Sequence, residues 1–162
     1  MRIAVIADTH NHLPSAVRSA LAGADEIWHL RDICTRDLLG ELRGLGPPVE
    51  VIAGNCDPQD IAPESLVLQR GGHSFLLVHI PLRTAPIGVD HVLHGHTHVP
   101  RDETIAAVRH LNPGSVGKPN HGAAASFAWL EVDQDGSVRW TLAPCAQTRV
   151  EPIGVSNHTS SR

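Results

Sequence analysis

Tyrosine is absent from the 162 residues, and two phenylalanines and three tryptophans are the whole aromatic complement. So few rings leave no stacking platform for single-stranded nucleic acid. Lysine and arginine total 13, never adjacent, against 17 acidic residues for a net charge of −4, so the basic face of a duplex-DNA binder is missing too. Cysteine occurs three times (Cys34, Cys56, Cys145), with no C-x-x-C pair and an odd thiol left over, which excludes a disulfide-stapled miniprotein. No apolar run approaches the roughly 18 residues that a membrane helix needs. The start, Met1 to Asp8, meets its acid too early for a secretory signal, so a reducing cytoplasm is the expected compartment. What the chain has in excess is histidine, twelve residues in all, a composition suited to metal binding.

The apolar fraction of 41% and the length fit one domain, expected over residues 1–145, with a polar tail over 146–162 that lacks periodicity. A chain of this size buries roughly 70% of its unfolded surface, enough for a real core. Ile3–Ala7, Glu26–Leu30 and Val49–Ala53 read as strands. Between them lie two amphipathic helical stretches, one opened by Pro14 and carrying Leu13, Ala16, Val17, Ala20 and Leu21, the other capped by Thr35 and carrying Leu38, Leu42 and Leu45. The pattern then turns to strands: Ser65–Gln69 and Ser74–His79 around Gly71-Gly72, His91–Leu93, Thr104–Leu111, Ser126–Asp133 and Ser137–Leu142. An order βαβαβ followed by β predicts two sheets packed face to face with helices outside.

The chemistry-bearing residues gather at the strand ends. They are Asp8 and His10, Asp32, Asn55, His79, and His96 with His98. The successive intervals His10–Asp32, Asp32–Asn55 and Asn55–His79 are 22, 23 and 24 residues, about one strand and its return each. Parallel strands bring such ends to one edge of a sheet, where ligands bind. Asp8/His10 and His96/His98 are each i, i+2, which in extended backbone places both side chains on one side. Seven metal-capable side chains on one crevice suffice for two divalent ions sharing one carboxylate.

Asp8-Thr9-His10, Asp32, Gly54-Asn55-Cys56-Asp57, His79, Gly95-His96-Thr97-His98 and Asn112-Pro113-Gly114-Ser115 stand in an order that resembles the calcineurin-like metallophosphoesterases. The likeness is to their small single-domain bacterial and archaeal phosphodiesterase branch, and spans about residues 2 to 142. It implies an α/β fold, the four-layer αββα sandwich. It implies a first metal on Asp8, His10, Asp32 and His98, and a second on Asn55, His79 and His96, with Asp32 bridging. The N-P-G-S turn would be structural. The implied reaction is hydrolysis of a small phosphate ester, with nucleic acid and membrane outside the expected partners. Self-association through sheet edges stays open.

Two divalent ions against two carboxylates and a bridging hydroxide leave about +1 locally, enough to draw a phosphate into an acidic chain. Bound water loses its proton near neutrality on such ions, and two of them clamp a phosphate for in-line attack. The mixed His, carboxylate and amide donors favour manganese first, with iron, nickel, cobalt or zinc also compatible, over magnesium. The catalytic assignments are Asp32, Asn55 and His12, and the substrate contacts Asn55 and Arg31.

The chain departs from the family pattern at four places. Cys56 stands where many members carry the His thought to protonate the leaving group, and a thiol is a poor donor to an alkoxide. Proton delivery would then fall to His12, Asp57 or solvent. Arg31 precedes the bridging Asp32 where glycine is usual, so it either points outward, clamps a phosphate or distorts the loop. Ile80-Pro81 follows His79 in place of glycine, and only 17 residues separate His79 from His96, so a short, open rim is expected. The arginine usual after the N-P-G-S turn is replaced near Asn120-His121. His94 has no family counterpart and is expected to pack, and Trp28, Trp129 and Trp140 to serve the core or a sheet face. The rival reading on the same fold is a non-catalytic interaction scaffold.

Overall fold

In a computed structural model of the protein, whose described residues are 1–58 and 60–145, the opening apolar run forms β1 (Arg2–Ile6). Ile3, Ala4, Val5 and Ile6 are all buried, because β1 has a packed layer on each face. α1 (Ser15–Leu21) starts behind Pro14, whose ring presets φ at −58° and whose missing N–H would be unpaired there anyway. It buries Val17 and Leu21, then returns the chain to β2 (Glu26–His29), parallel to β1. α2 (Arg36–Arg43) is capped by the Thr35 hydroxyl, which accepts the Leu38 N–H at 3.4 Å, and it buries Leu38, Leu39 and Leu42. β3 (Val49–Val51) then pairs parallel to β2.

The second half supplies β4 (Ser65–Arg70), β5 (His73–Val78), β6 (His91–His94), β7 (Arg101–Ile105), β8 (Val108–Asn112), β9 (Ser126–Val132) and β10 (Val138–Pro144). One five-stranded sheet has the order β10-β9-β1-β2-β3 and the other β4-β5-β6-β8-β7. Ile3, Val5, Trp28 and Leu30 from the first sheet meet Phe75, Leu77, Leu93 and Leu111 from the second, with the Trp28 and Phe75 rings edge to face at 5.4 Å. Each such side chain contributes roughly 1.5–3 kcal/mol on leaving water. α1 and α2 cover the other face of the first sheet over Ala4, Ile6, Ile27 and Val51. The fold is thus the expected α/β sandwich. No helix among the described residues lies between β5 and β6, where Pro81 and Pro86 break the chain.

One expected strand divides. Thr104–Leu111 is a hairpin, β7 and β8 joined by Ala106 and Ala107 at φ 45° and 69°. The run Ile105-Ala106-Ala107-Val108 carries no Gly, Asn or Asp, so it reads as continuous strand; yet β8 pairs parallel with β6 on one side and antiparallel with β7 on the other, and that pairing forces the turn. Alanine in the left-handed region costs roughly 1–2 kcal/mol, whereas Gly71 and Gly72 make the β4–β5 turn at φ 57° and 84° without that strain. Ala107→Gly is therefore expected to stabilise the fold by about 0.5–1 kcal/mol, seen as a higher urea midpoint with unchanged slope. A lower midpoint would show that the turn carries no strain.

Candidate active site

β1, β2 and β3 run parallel in one sheet and β5, β6 and β8 run parallel in the other, and the predicted ligands follow their C-terminal ends. The backbone there is not extended. Asp8 (φ 50°), His10 (46°), Arg31 (84°), Asp32 (56°), Cys34 (74°), His96 (70°) and His98 (59°) all occupy the left-handed region. The i, i+2 pairs converge because the chain kinks at each ligand, not because of strand pleating. Such conformations in non-glycine residues cost of order 1 kcal/mol or more each and collect at functional sites.

The kinks bring Asp8, His10, Asp32 and His98 together, with one ligand atom from each lying within 4.8 Å of the others. His10 Nε2 stands 3.4 Å from His98 Nε2, which lies 3.7 Å from Asp8 Oδ1. Beside them His96 Nδ1 is 2.8 Å from His79 Nε2. Asn55 is exposed and lines an open cleft of about 340 Å³ together with Arg31, Ala53, Gly54, Asp57 and Glu64.

Backbone contacts hold this arrangement. Asp57 accepts three main-chain N–H groups, from Cys34 and Gly54 at 2.7 Å and from Asp32 at 3.0 Å, and so ties the loop after β2 to the loop after β3. The sequence reading offered Asp57 only as a proton source. The Asp-three-after-Gly spacing of a turn was the available signal for its anchoring role. Gly54 cannot be replaced, since a Cβ there would sit 2.1 Å from Asp32 Oδ1. The His96 N–H donates to the Asp8 carboxylate at 3.1 Å, and the Ser115 hydroxyl to the Asp8 carbonyl at 2.9 Å. Asn112 donates to the Gly95 carbonyl and the Thr97 hydroxyl, both at 3.1 Å. The N-P-G-S segment braces the loops from behind.

Burial pushes the Asp8 carboxyl up to about 8, with the Asp32 and Asp57 carboxylates adding to it and the His96 N–H opposing. Burial likewise pushes His79 down to about 4, and the Arg31 guanidinium adds to that. His79 Nδ1 is buried without a hydrogen-bond partner. A cluster of enclosed carboxylate and buried, unpartnered imidazole nitrogen has the donor chemistry of a cation site.

The remaining residues separate clearly. Arg31 lies across the cleft, its Cγ so close to Gly54 that a Cβ there would meet it at 2.5 Å. It does not point outward. His12 is exposed and lies outside the ligand groups. His94 is buried, its Nδ1 donating to the Gly95 carbonyl at 3.1 Å and its Nε2 accepting from Arg101 at 3.4 Å, the packed role expected of it. Trp28 is in the inter-sheet core and Trp140 packs partly buried against it, while Trp129 packs partly buried against the helix-covered face of the first sheet.

The calcineurin-like phosphoesterase superfamily domain matches residues 1–135. The chain belongs to that superfamily, a family of divalent-metal phosphoester hydrolases. It is 30% identical over 166 residues to phosphodiesterase YfcE of Escherichia coli, covering 82% of this chain and 89% of the relative. The solution NMR structure of a Thermotoga maritima protein superimposes with a TM-score of 0.72 at 30% identity, over 89% of this chain and 99% of that one. The zinc complex of Vps29 from Entamoeba histolytica shares the fold at 23% identity and TM-score 0.67, over 89% and 99% of the two chains.

Two outcomes follow from the electrostatics and the anchoring. Asp8 holds a proton up to about 8 when folded against an ordinary 3.8, so its ionisation costs stability as pH rises through that window. His29 (about 3), His91 and His94 (both about 4) are held neutral by burial below the ordinary 6.5, so stability is lost as pH falls beneath 6.5. Chelator-treated protein should therefore melt highest near pH 6.5, and added divalent cation should remove the alkaline decline but not the acidic one. A metal-free melting temperature still climbing from pH 6.5 to 8 would contradict this. Asp57→Ala strands buried N–H donors and should cost about 2–4 kcal/mol in denaturant unfolding, with Asp57→Asn recovering part.

Proposed function

We propose that the protein is a binuclear metal-dependent phosphodiesterase acting on small phosphate esters. The observation that carries this is the convergence of Asp8, His10, Asp32 and His98 within 4.8 Å, with His79 and His96 alongside. The donor set fits the metals: two enclosed carboxylates, Asp8 faced by the His98 ring at 3.7 Å, and a buried His79 nitrogen without a partner among the described residues. Asp8, His10, Asp32 and His98 would hold the first ion, and Asn55, His79 and His96 with Asp32 the second, manganese being the preferred metal. When bound, the ions acidify water to a nucleophile near neutral pH and offset phosphate charge.

The protein's own residues do the rest. The left-handed backbone at Asp8, His10, Asp32, His96 and His98 presents their side chains inward without relying on long flexible stems. Arg31, lying over the cleft floor, provides a planar fork for a phosphate oxygen pair, and Asn55 beside it an amide donor. Burial pushes the Cys56 thiol up, so it is a weaker proton donor still. Leaving groups that need no strong acid are favoured, with protons supplied from solvent or His12 at the open rim. All three cysteines are free thiols, in keeping with a reducing cytoplasm.

The test is hydrolysis of an aryl phosphate diester with Mn²⁺ or chelator. Turnover should require metal and fall more than roughly 100-fold in Asp32→Ala and Asn55→Ala, exceeding what loss of an outer partner costs. Arg31→Gly should raise KM about tenfold or more while kcat changes little, the value of one charge-assisted hydrogen bond. Near-normal turnover in metal-verified Asp32→Ala would remove the binuclear reading. A folded, metal-loaded chain that cleaves no diester would favour the scaffold role.

A further inference from the structure

The two nitrogens of His10 face two different donor sets. Nε2 looks toward His98 at 3.4 Å, inside the group of Asp8, Asp32 and His98. Nδ1 looks the other way, 3.7 Å from Cys34 Sγ. His10, Cys34 and Cys56 form a second group whose ligand atoms also lie within 4.8 Å of one another. The cysteines reach it from separate loops, Cys34 two residues past Asp32 and Cys56 directly after Asn55. Cys34 takes φ 74°, and its N–H is pinned to Asp57 at 2.7 Å, so the direction of its thiol is imposed by the backbone. Cys56 is exposed and Cys34 half-buried, leaving the group open to solvent.

A tetrahedral ion with metal–sulfur bonds of about 2.3 Å and a metal–nitrogen bond of about 2.0 Å has ligand-to-ligand edges of about 3.5–3.8 Å. The nitrogen–sulfur edge is the shorter, about 3.5 Å, and His10 Nδ1 already stands 3.7 Å from Cys34 Sγ, close to it before any ion is added. We propose that Cys34, Cys56 and His10 Nδ1 form a separate site for one thiophilic cation of the zinc, cadmium or copper(I) class, with solvent in the fourth position. Binding forms two metal–sulfur bonds and one metal–nitrogen bond. The two thiol protons pass to solvent, and no oxidation state changes.

This site opposes the phosphoesterase centre, a consequence that rests on His10 being a ligand there. A neutral imidazole has one proton and one lone pair. If Nδ1 gives its lone pair to a thiophilic ion, the proton sits on Nε2, which can then no longer ligate beside His98. Occupation of the cysteine site therefore withdraws a ligand from the first metal.

Titrating the reduced full-length chain with Cd²⁺ tests the site, because sulfur ligation gives an ultraviolet charge-transfer band that nitrogen and oxygen donors do not. The expected result is a band saturating at one equivalent, with two cysteines protected from alkylation. Cys56→Ser, at an exposed position that tolerates the change, should weaken the band's half-saturation on the order of 10–100-fold. Cys145→Ala should retain it. In protein preloaded with Mn²⁺, the paramagnetic resonance signal of free Mn²⁺ should grow as the band develops. Absence of the band at one equivalent, or an unchanged half-saturation in Cys56→Ser, overturns the site. A band that forms without releasing Mn²⁺ overturns the competition for His10. Since the band needs no turnover, failure of the diesterase assay would not be mistaken for failure here.

Discussion

The carboxyl group of Asp8, wholly enclosed where β1 ends, sets the terms for the surrounding structure. It cannot carry its charge cheaply in that position, because water is excluded and the Asp32 and Asp57 carboxylates stand close by. Every nearby element responds to that. The His96 N–H points at it, His98 closes over it, and Ser115 and Gly117 hold its carbonyl from behind. The two sheets meet at this edge through polar contacts, whereas elsewhere they meet through Trp28, Phe75, Leu77 and Leu93. A cation held among these groups would turn that electrostatic cost into attraction.

Backbone strain is the second constraint. Left-handed residues follow β1, β2 and β6 in turn, and only a well-braced scaffold keeps them there. Asp57 does this for the loops after β2 and β3, and the Asn112 amide does it for the loop after β6. Arg31 shows how far the bracing reaches. At φ 84° it occupies backbone space natural to glycine, and its side chain is laid over Gly54 into the cleft. The departure from the family's usual glycine therefore adds a guanidinium to the pocket while the neighbouring ligands still converge.

His10 links the two kinds of chemistry on this edge. One nitrogen belongs with carboxylates and imidazoles, the other with thiols, so hard and soft donors share a ring. With few residues between β5 and β6 and no helix described there, the rim of the edge at Asn55, Cys56 and His96 is exposed while Asp8, Asp32 and His79 lie buried beneath it.

The strand ends were legible from residue order alone. Apolar runs punctuated by Asp8, Asp32, Asn55, His79 and His96 mark both the parallel strands and the polar residues that gather beyond their ends, since a strand buried on both faces must be apolar until it leaves the core. Thr35 and Pro14 marked the helix starts through capping chemistry that is local in sequence. What local chemistry could not supply was decided by tertiary structure. The β7–β8 turn at Ala106 and Ala107 carries no turn residues and exists only because β6 and β7 both claim β8 as partner. The kinked ligand backbone, the anchoring by Asp57, the inward course of Arg31 and the meeting of Cys34 with Cys56 all join segments more than twenty residues apart. Single-chain spacing says nothing of such contacts until the sheets close on one another, because they depend on how two separately formed edges align.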